Sequence, residues 1–465
     1  MTVRSLIPGL LALTAVSFTA SSISGQTSTP SPAEGATLRM TDLPLPEDYY
    51  PGLRMILEQA GRRAPELVRV GLDREMAQER LRIARSRYYP SLGIGGNLGY
   101  RFVQRSGEDN DGSLSGSVSV GVNRPLYFWG AVTAGIEKGE IDFENSLLFS
   151  KEEFQTTVQL LRNEYLILIL NEMQLRNLRL ERTNLETSLA RRESDYRAGR
   201  LSEEEYLTYL IELDRSLIEI EELEDERNET LTTFQRISGV NEAPQIPAGI
   251  APINLDALEA EIRGDELDPM WVENTFNVQL NRNSMEKMDL DATIIKAQQR
   301  PNISFSASVS QAPVNTATEN DVDTIRWFAG LSVSWNVFDG FATQASRRIN
   351  LLQKRHLESQ MRTNILVLEE ERTKMENALL VMIRKQRLAE RRFDLDSKIY
   401  SRVKQEFSDG RVSSNEFRQT QSDFYAEELN LNIARSALLQ AVADYLVILN
   451  ADRAIDYLEF QKTDV

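Results

Sequence analysis

A long internal repeat constrains this chain more than any other feature of its sequence. Residues 90–94 return as residues 301–305, about 211 positions later, and residues 196–202 return as residues 407–413 in almost the same register. Each copy contains two strand-like runs, a long helical run and a Gly-Arg turn. Because a repeat of this length is a whole supersecondary unit, the chain is predicted to fold as two copies of one module.

The N-terminus has the pattern of an export signal. Arg4 precedes a mostly apolar run and then small residues up to position 25, so residues 1–25 are predicted to be a secretory signal peptide. Residues 26–50, rich in Ser, Thr and Pro, are predicted to form an extended tail. No later run reaches the roughly 18 apolar residues of a transmembrane helix. The chain contains no cysteine, which excludes disulfides, thiolate catalysis and an acylated N-terminal cysteine.

The charge balance excludes some classes of partner. The chain has 53 basic and 70 acidic residues, with a formal net charge of −17. Such a chain repels phosphate backbones, so no nucleic-acid partner is expected. Electrostatic docking of the whole protein to an anionic lipid surface is not expected either.

Four runs of the sequence alternate apolar residues with small polar ones. Every second residue in 303–310 is apolar, and residues 327–337 continue the pattern. The first copy has matching runs that begin near Leu92 and Val118. This alternation predicts strands with one apolar face, each close to the 9 to 11 residues of a membrane-spanning strand. A soluble sandwich with one wet face has the same alternation and stays open as the alternative.

Aromatic residues cluster near the ends of these runs, where a membrane barrel has an interfacial girdle. They are Tyr88, Tyr89, Tyr127, Phe128, Trp129, Trp327 and Trp335. The polar connections, residues 104–113 and 311–324, suit solvent-facing loops. Since the smallest known barrels have about eight strands, four strands per chain predict an oligomer.

A long proline-free helical run follows each strand pair. Residues 131–198 and 341–409 are predicted helices, each a rod about 100 Å long at 1.5 Å per residue. Rods of this length need coiled-coil support, which the segments after each Gly-Arg turn supply through apolar residues spaced four and three apart. Shorter helices, over residues 53–88 and 268–299, lead into the strand pairs.

These elements predict a mainly α fold with membrane β, built from a duplicated module. The first repeat occupies residues 51–240, and the second occupies residues 268–450. Residues 241–267 are predicted to link the copies around the outside of the helices, and residues 451–465 to form a C-terminal tail.

Both Gly-Arg turns have the sequence of a helix stop followed by a restart. Gly199 and Gly410 are predicted to adopt the left-handed conformation that ends each long helix. Ser202 and Ser413 are predicted to cap the return helices. Glu205 and Glu416 follow three residues later and complete a capping-box pattern, which favours a structural role for both glutamates.

No catalytic, cofactor or metal site is predicted. His356 is the single histidine and lies among charged helical residues, without a partner for a triad or a metal site. The glycines of residues 93–99 miss the spacing of a dinucleotide-binding loop, and strand alternation explains them better.

The order of these motifs resembles the TolC family of outer-membrane efflux and secretion channels. The resemblance is carried by Pro90 at entry to the first strand, Trp129-Gly130 at exit from the second, and the matching Pro301 and Gly340 of the second copy. The two tip turns, 196–199 and 407–410, also fit. The resemblance spans nearly the whole mature chain.

The resemblance implies a homotrimer whose twelve strands form one barrel in the outer membrane of a Gram-negative-type cell, joined to an α-helical tunnel across the periplasm. It implies docking to a periplasmic adaptor protein and an inner-membrane pump, and no catalysis. The leading function is the exit duct of a tripartite efflux system for small toxic molecules, drugs or metals. A duct for type I protein secretion and a periplasmic coiled-coil scaffold without a pore are the alternatives.

The resemblance also implies roles for the tip residues. The candidates for adaptor contact are Gly199, Arg200, Leu201, Ser202, Gly410, Arg411, Val412 and Ser413. The residues that directly follow each glycine are expected to be exposed. Acidic side chains just past such turns ring the closed entrance in some relatives, so Glu205 and Glu416 are candidates for an entrance gate. Gln419 stands where some relatives have a second acid.

Overall fold

The computed structural model describes residues 43–103, 111–264, 271–311 and 325–457. The predicted signal peptide, most of the predicted N-terminal tail, residues 104–110 and 312–324 of the predicted loops, residues 265–270 and the last eight residues lie outside this part of the chain.

The first repeat begins with helices and continues through a strand hairpin into two long helices. Its elements are α1 (Pro46–Tyr49), α2 (Pro51–Arg63), α3 (Pro65–Ser86), β1 (Ser91–Val103), β2 (Asp111–Tyr127), α4 (Ala131–Arg197) and α5 (Glu203–Ser238). A short helix, α6 (Leu255–Gly264), lies in the segment between the repeats.

The second repeat has the same order of elements. After a 3₁₀ turn (Trp271–Asn274) come α7 (Phe276–Ala297), β3 (Asn302–Gln311), β4 (Ile325–Ser334), α8 (Ala342–Ser408) and α9 (Ser414–Ile448), followed by a second 3₁₀ turn (Arg453–Tyr457). The two long helices predicted from the sequence are therefore confirmed to within one residue at each end.

The four strands form one antiparallel sheet in the order β1-β2-β3-β4. The pairing of β2 with β3 joins the two repeats, with Val120 opposite Val309 and Val122 opposite Ala307. β1 and β4 are the edge strands. Within the described residues, each of them pairs along one side only.

Helix α4 is the centre of the helical part. It packs against α3 and α7 near the sheet, and against α5 and α9 farther along. Its middle carries apolar residues on more than one face, and Leu161, Tyr165 and Leu168 are fully buried. The main core forms there, because α2, α8 and the C-terminal half of α9 close over these side chains.

A buried ion network ties both ends of the described chain to this core. Arg162 of α4 is 1% exposed, and its guanidinium donates to Glu47 of α1 (Nε to Oε2, 2.9 Å) and to Asp452 (Nη1 to Oδ2, 2.6 Å). Beside the buried network and more exposed, Arg453 donates from Nη2 to the Asp48 carboxylate at 2.8 Å. The bonds to Asp452 and Asp48 join residues 290 and 405 positions apart, so no local pattern of the sequence indicates the network.

The predicted helix over residues 53–88 is wrong as one element. Pro65 has no N–H to donate and disfavours helical backbone at the residue before it. Ala64 accordingly has ψ 126°, which separates α2 from α3. The predicted extended tail also departs from expectation at its end, since Leu43 and Leu45 are buried and residues 46–49 are helical.

Two further differences concern the second repeat. The predicted strand run 327–337 ends earlier, at Ser334, because the chain must turn into α8. Helix α9 is the one described helix long and apolar enough to cross a membrane. More than half of its most apolar part is buried against the rest of the chain, as expected of a core helix.

Candidate functional site

The sheet has one apolar face and one polar face. Residues paired across strands share a face, and pairs such as Ile94–Val120 and Phe305–Leu331 extend one apolar surface across all four strands. Its large side chains are exposed in the single chain, with Ile94 77% and Trp327 79% exposed. Such an extensive apolar surface is unfavourable in water and suits contact with lipid.

Small and polar residues dominate the other face of the sheet. They are Gly93, Gly95, Asn97, Ser117, Ser119, Gly121, Ser304, Ser306, Ser308, Gly330 and Ser332. Arg326 and Phe328 of β4 are larger members of the same face. A barrel with a water-filled interior needs this division, with apolar residues outward and polar residues inward.

Each turn from strand to helix contains a non-glycine residue with positive φ, and a tryptophan near each turn donates to a backbone carbonyl. Trp129 and Phe341 have positive φ angles of 55° and 68°, a conformation that costs a non-glycine residue about 1 to 3 kcal/mol. The indole N–H of Trp129 donates to the Pro301 carbonyl at 2.9 Å, and that of Trp335 donates to the Gln299 carbonyl at 3.1 Å. These bonds hold Trp129 and Trp335, two of the predicted girdle residues, at the helical end of the sheet.

The first tip turn connects α4 to α5 through a Schellman motif. Gly199 has φ +68°, its N–H donates to the Tyr196 carbonyl, and the Arg200 N–H donates to the Asp195 carbonyl at 2.9 Å. Ser202 then caps α5. Its hydroxyl accepts from the Glu205 N–H at 3.2 Å, while the Glu205 carboxylate accepts from the Ser202 N–H at 3.0 Å.

The second tip turn, between α8 and α9, repeats the Schellman motif. Gly410 has φ +73°, and the Arg411 N–H donates to the Glu406 carbonyl at 2.8 Å. Ser413 caps α9 by accepting from the Glu416 N–H at 3.2 Å. Both predicted left-handed glycines and both predicted serine caps are thus confirmed.

The two glutamates differ, although the sequence gives them the same pattern. Bonds from the Ser202 backbone and hydroxyl lower the pKa of Glu205. In the described part of the chain the Glu416 carboxylate has no hydrogen bond or ion pair, so the capping box is complete in the first repeat only. Both side chains are exposed.

The candidate contact residues surround these turns and differ in exposure. Gly199, Arg200, Gly410 and Arg411 are exposed, whereas Leu201 and Val412 are half-buried, contrary to the expectation that both are exposed. Arg200 is held by Asp195 at 2.6 Å. Arg411 reaches only 3.8 Å from Asp409, so its guanidinium is freer.

Stacked aromatic rings support the helix pairs behind the turns. Tyr196 stacks on Tyr206 with a centroid distance of 4.9 Å, and Phe407 stacks on Phe417 at 4.5 Å. The second pair continues as a ladder away from the tip: Phe393, Tyr400 and Phe424 add stacked or tilted contacts between α8 and α9. The second hairpin is therefore the more strongly braced of the two.

Polar contacts join the two helix pairs to each other, and the sequence alone did not indicate them. Arg176 of α4 pairs with Glu428 of α9 at 2.5 Å, and Arg418 donates to the Asn184 carbonyl at 3.3 Å. Asn184 and Arg418 line a groove of about 530 Å³ between α4, α5 and α9. The available signal in the sequence was Glu428, a polar residue among the apolar residues spaced four and three apart in the second return helix. The structure explains it as a contact between the two hairpins.

A family model described as outer membrane efflux protein matches residues 56–240 and 273–450. No curated protein sequence matches the chain significantly. Among solved structures, the CmeC outer membrane channel of Campylobacter jejuni superposes with a TM-score of 0.70 at 10% identity, covering 90% of this chain and 89% of that one. The open state of the MtrE outer membrane channel of Neisseria gonorrhoeae gives 0.66 at 15% identity, covering 90% and 93%.

The outer membrane protein VceC of Vibrio cholerae is similar to the same extent. Its TM-score is 0.65 at 12% identity, and the match covers 87% of this chain and 97% of that one. At these identities the structural likeness establishes the fold, while the family match covers both repeats separately. The duplicated module seen in the sequence is thus the unit that the family shares.

Proposed function

The chain belongs to the outer membrane efflux protein family, and from that premise we propose that it is the trimeric exit duct of a tripartite efflux system for small toxic molecules, drugs or metals. Membership makes it an outer-membrane channel protein with helices extending into the periplasm, and not an enzyme, as the sequence predicted.

One observation carries the proposal: the continuous apolar face of the sheet, opposite a face of serine, glycine and asparagine. In a periplasmic scaffold without a pore, this apolar face would contact water, which is unfavourable for so many large apolar side chains. The free edges of β1 and β4 support oligomerisation, since backbone groups left unpaired in lipid cost several kcal/mol each. Three chains would supply twelve strands, enough to close a barrel.

The tips support a role in docking an adaptor protein. Two similar turns per chain would place six copies around the entrance of a trimer, and each presents a rigid Schellman motif with an exposed arginine. We assign adaptor contact to Gly199 through Ser202 and to Gly410 through Ser413. An inner-membrane pump would supply the energy, because no nucleotide or redox site is predicted in this sequence.

Of the two candidate gate residues, Glu416 is the better one. Its carboxylate is free of described partners, whereas that of Glu205 is engaged with Ser202. Glu416→Gln should therefore change the conductance and cation preference of the channel, and Glu205→Gln should change them less. Equal effects of the two substitutions would contradict this assignment.

The test combines conductance and export. The purified protein should form channels in planar bilayers, and deletion of its gene should sensitise the cell to drugs or metals, with recovery on complementation. Absence of channels would favour the scaffold. Loss of an exported protein without sensitisation would favour the secretion duct.

A further inference from the structure

Two arginines, Arg124 and Arg300, lie at the helical end of the apolar face, and the proposed channel function gives neither of them a role. The pairing of β2 with β3 places Arg124 opposite Phe305 and Tyr127 opposite Ile303. Strand alternation would put residues three apart on opposite faces. A register shift between Pro125 and Tyr127 brings Tyr127 onto the same apolar face as Arg124, since a bulge redirects the side chains that follow it.

The second arginine, Arg300, lies two residues before β3 and contacts the aromatic residues at this end of the sheet. The guanidinium carbon of Arg300 lies 4.6 Å from the centroid of the Trp129 ring. That ring contacts Tyr127 edge-on, with a centroid distance of 4.8 Å, and its indole N–H is bonded to the Pro301 carbonyl. Register places Arg124 on the same face as Tyr127, and ring contacts join Tyr127, Trp129 and Arg300. We call these four residues the Arg124–Arg300 patch.

Within the described part of the chain, neither guanidinium of this patch forms an ion pair with an acidic side chain. Arg124 and Arg300 are both exposed. By contrast, Arg85 at the end of α3 pairs with Glu140 at 3.0 Å. An arginine on a lipid-facing strand is unfavourable at the bilayer centre and tolerated near the headgroups. Arg124 lies close to the end of β2 at Tyr127, so its side chain can extend to that level.

We propose that the Arg124–Arg300 patch binds the phosphate of an anionic phospholipid in the membrane leaflet nearer the helices. This rests on the proposed function, which places the apolar face in a membrane. Arginine binds phosphate through parallel N–H donors, and tyrosine and tryptophan favour the headgroup level. The net charge of −17 opposes docking from solution, but a lipid already beside the sheet meets the two cations within a Debye length.

The position of the patch within the sheet keeps it available after assembly. β2 and β3 are the two central strands of the order β1-β2-β3-β4. A neighbouring chain would pair with the edge strands β1 and β4 and leave the central strands facing lipid. Each chain therefore offers one such patch.

Native mass spectrometry of the detergent-solubilised protein tests the proposal, with dioleoyl phosphatidylglycerol and dioleoyl phosphatidylcholine as probes. The wild type should bind phosphatidylglycerol roughly tenfold more tightly. Arg124→Gln combined with Arg300→Gln should remove that preference, whereas the lysine pair should keep part of it. Arg326→Gln, on the polar face of β4, is the matched control and should retain the preference.

Several outcomes would overturn the proposal. They are equal binding of the two lipids by the wild type, an unchanged preference in the double glutamine variant, and displacement of the lipid by an equal concentration of inorganic phosphate, which would indicate a free-anion site. If the double variant does not fold, Arg124→Lys and Arg124→Gln are compared instead. A double glutamine variant that conducts normally but has lost the lipid preference would support the patch and leave the channel function untouched. A wild type without conductance would refute the channel.

Discussion

At the scale of single residues, Arg162 is a buried cation held between the carboxylates of Glu47 and Asp452. Burial alone would lower the pKa of its guanidinium, but the two carboxylate partners raise that pKa above the ordinary value. Glu47 lies in the first helix of the described chain, and Asp452 follows the last long helix. One guanidinium therefore fixes both of these segments on the middle of α4.

We expect Arg162→Met to destabilise the protein by about 3 to 5 kcal/mol, because two buried carboxylates would lose their cation. The measurement is the unfolding of the purified protein in detergent. Arg179→Met is the control: it removes an exposed pair with Glu224 from the same helix and should cost about 1 kcal/mol or less. Equal losses in the two variants would show that burial of the network contributes nothing.

Asp444 near this network gives a prediction about pH. Burial raises the pKa of Asp444, while Arg162 and a bond from Gln159 partly oppose the shift. For an acid with a raised pKa in the folded state, the stability contribution is complete below the unfolded pKa and is lost as pH rises through the folded pKa. Asp444→Asn should therefore melt above the wild type at neutral pH, by a margin that shrinks as pH falls towards about 4. A difference in melting temperature that does not change with pH would contradict the raised pKa of Asp444.

At the scale of elements, the two tip turns are held by their own hydrogen bonds and leave open space beside their glycines. Both turns are built from local hydrogen bonds, and the space around both glycines is open, since a Cβ added to either would have no neighbouring heavy atom within 4 Å. A side chain there would meet no neighbour in the described chain. Any loss of stability or export on substitution of these glycines must therefore come from the backbone conformation or from contact with a partner.

We expect Gly410→Val to strain its positive-φ position by about 1 to 2 kcal/mol and to leave the long helices assembled. The variant should reach the outer membrane normally, yet export poorly and crosslink weakly to the adaptor. Gly71→Val is the matched control, since Gly71 of α3 also has open space around it but ordinary helical φ. If Gly410→Val exports fully and its crosslinking is unchanged, the turn only terminates the helix and does not contact the adaptor.

At the scale of the whole molecule, a single chain can bury the apolar residues of its helices but not those of its sheet. The helical part buries a core of its own around α4. The sheet has no second layer and leaves both its apolar face and its two edges without partners among the described residues. Stability of the complete protein is therefore expected to depend on assembly and on lipid.

We expect a trimer to be the only stable folded form of the protein in mild detergent. A monomer would expose the β1 and β4 edges in an apolar medium, where each unpaired backbone group costs several kcal/mol. Native mass measurement distinguishes the two forms. A folded monomer that persists after dilution would contradict the twelve-stranded barrel.

The sequence by itself determined the features that depend on neighbours along the chain. Alternation over residues 303–310 specifies a strand and its apolar face, and the Gly-Arg turns with Ser202 and Ser413 specify where long helices stop and restart. Repetition then specifies that the chain holds two such modules. These are short-range effects of sterics, hydrogen bonding and side-chain period, so one sequence is enough to read them.

The tertiary structure decided which distant groups meet. It placed Arg162 between Glu47 and Asp452 and joined the hairpins through Arg176 and Glu428. A bulge also put Tyr127 on the same apolar face as Arg124. It also left Glu416 without the partner that Glu205 has among the described residues, although both follow the same motif. Such contacts depend on the packing of elements far apart in the chain, where one residue of register or one rotamer changes the partner.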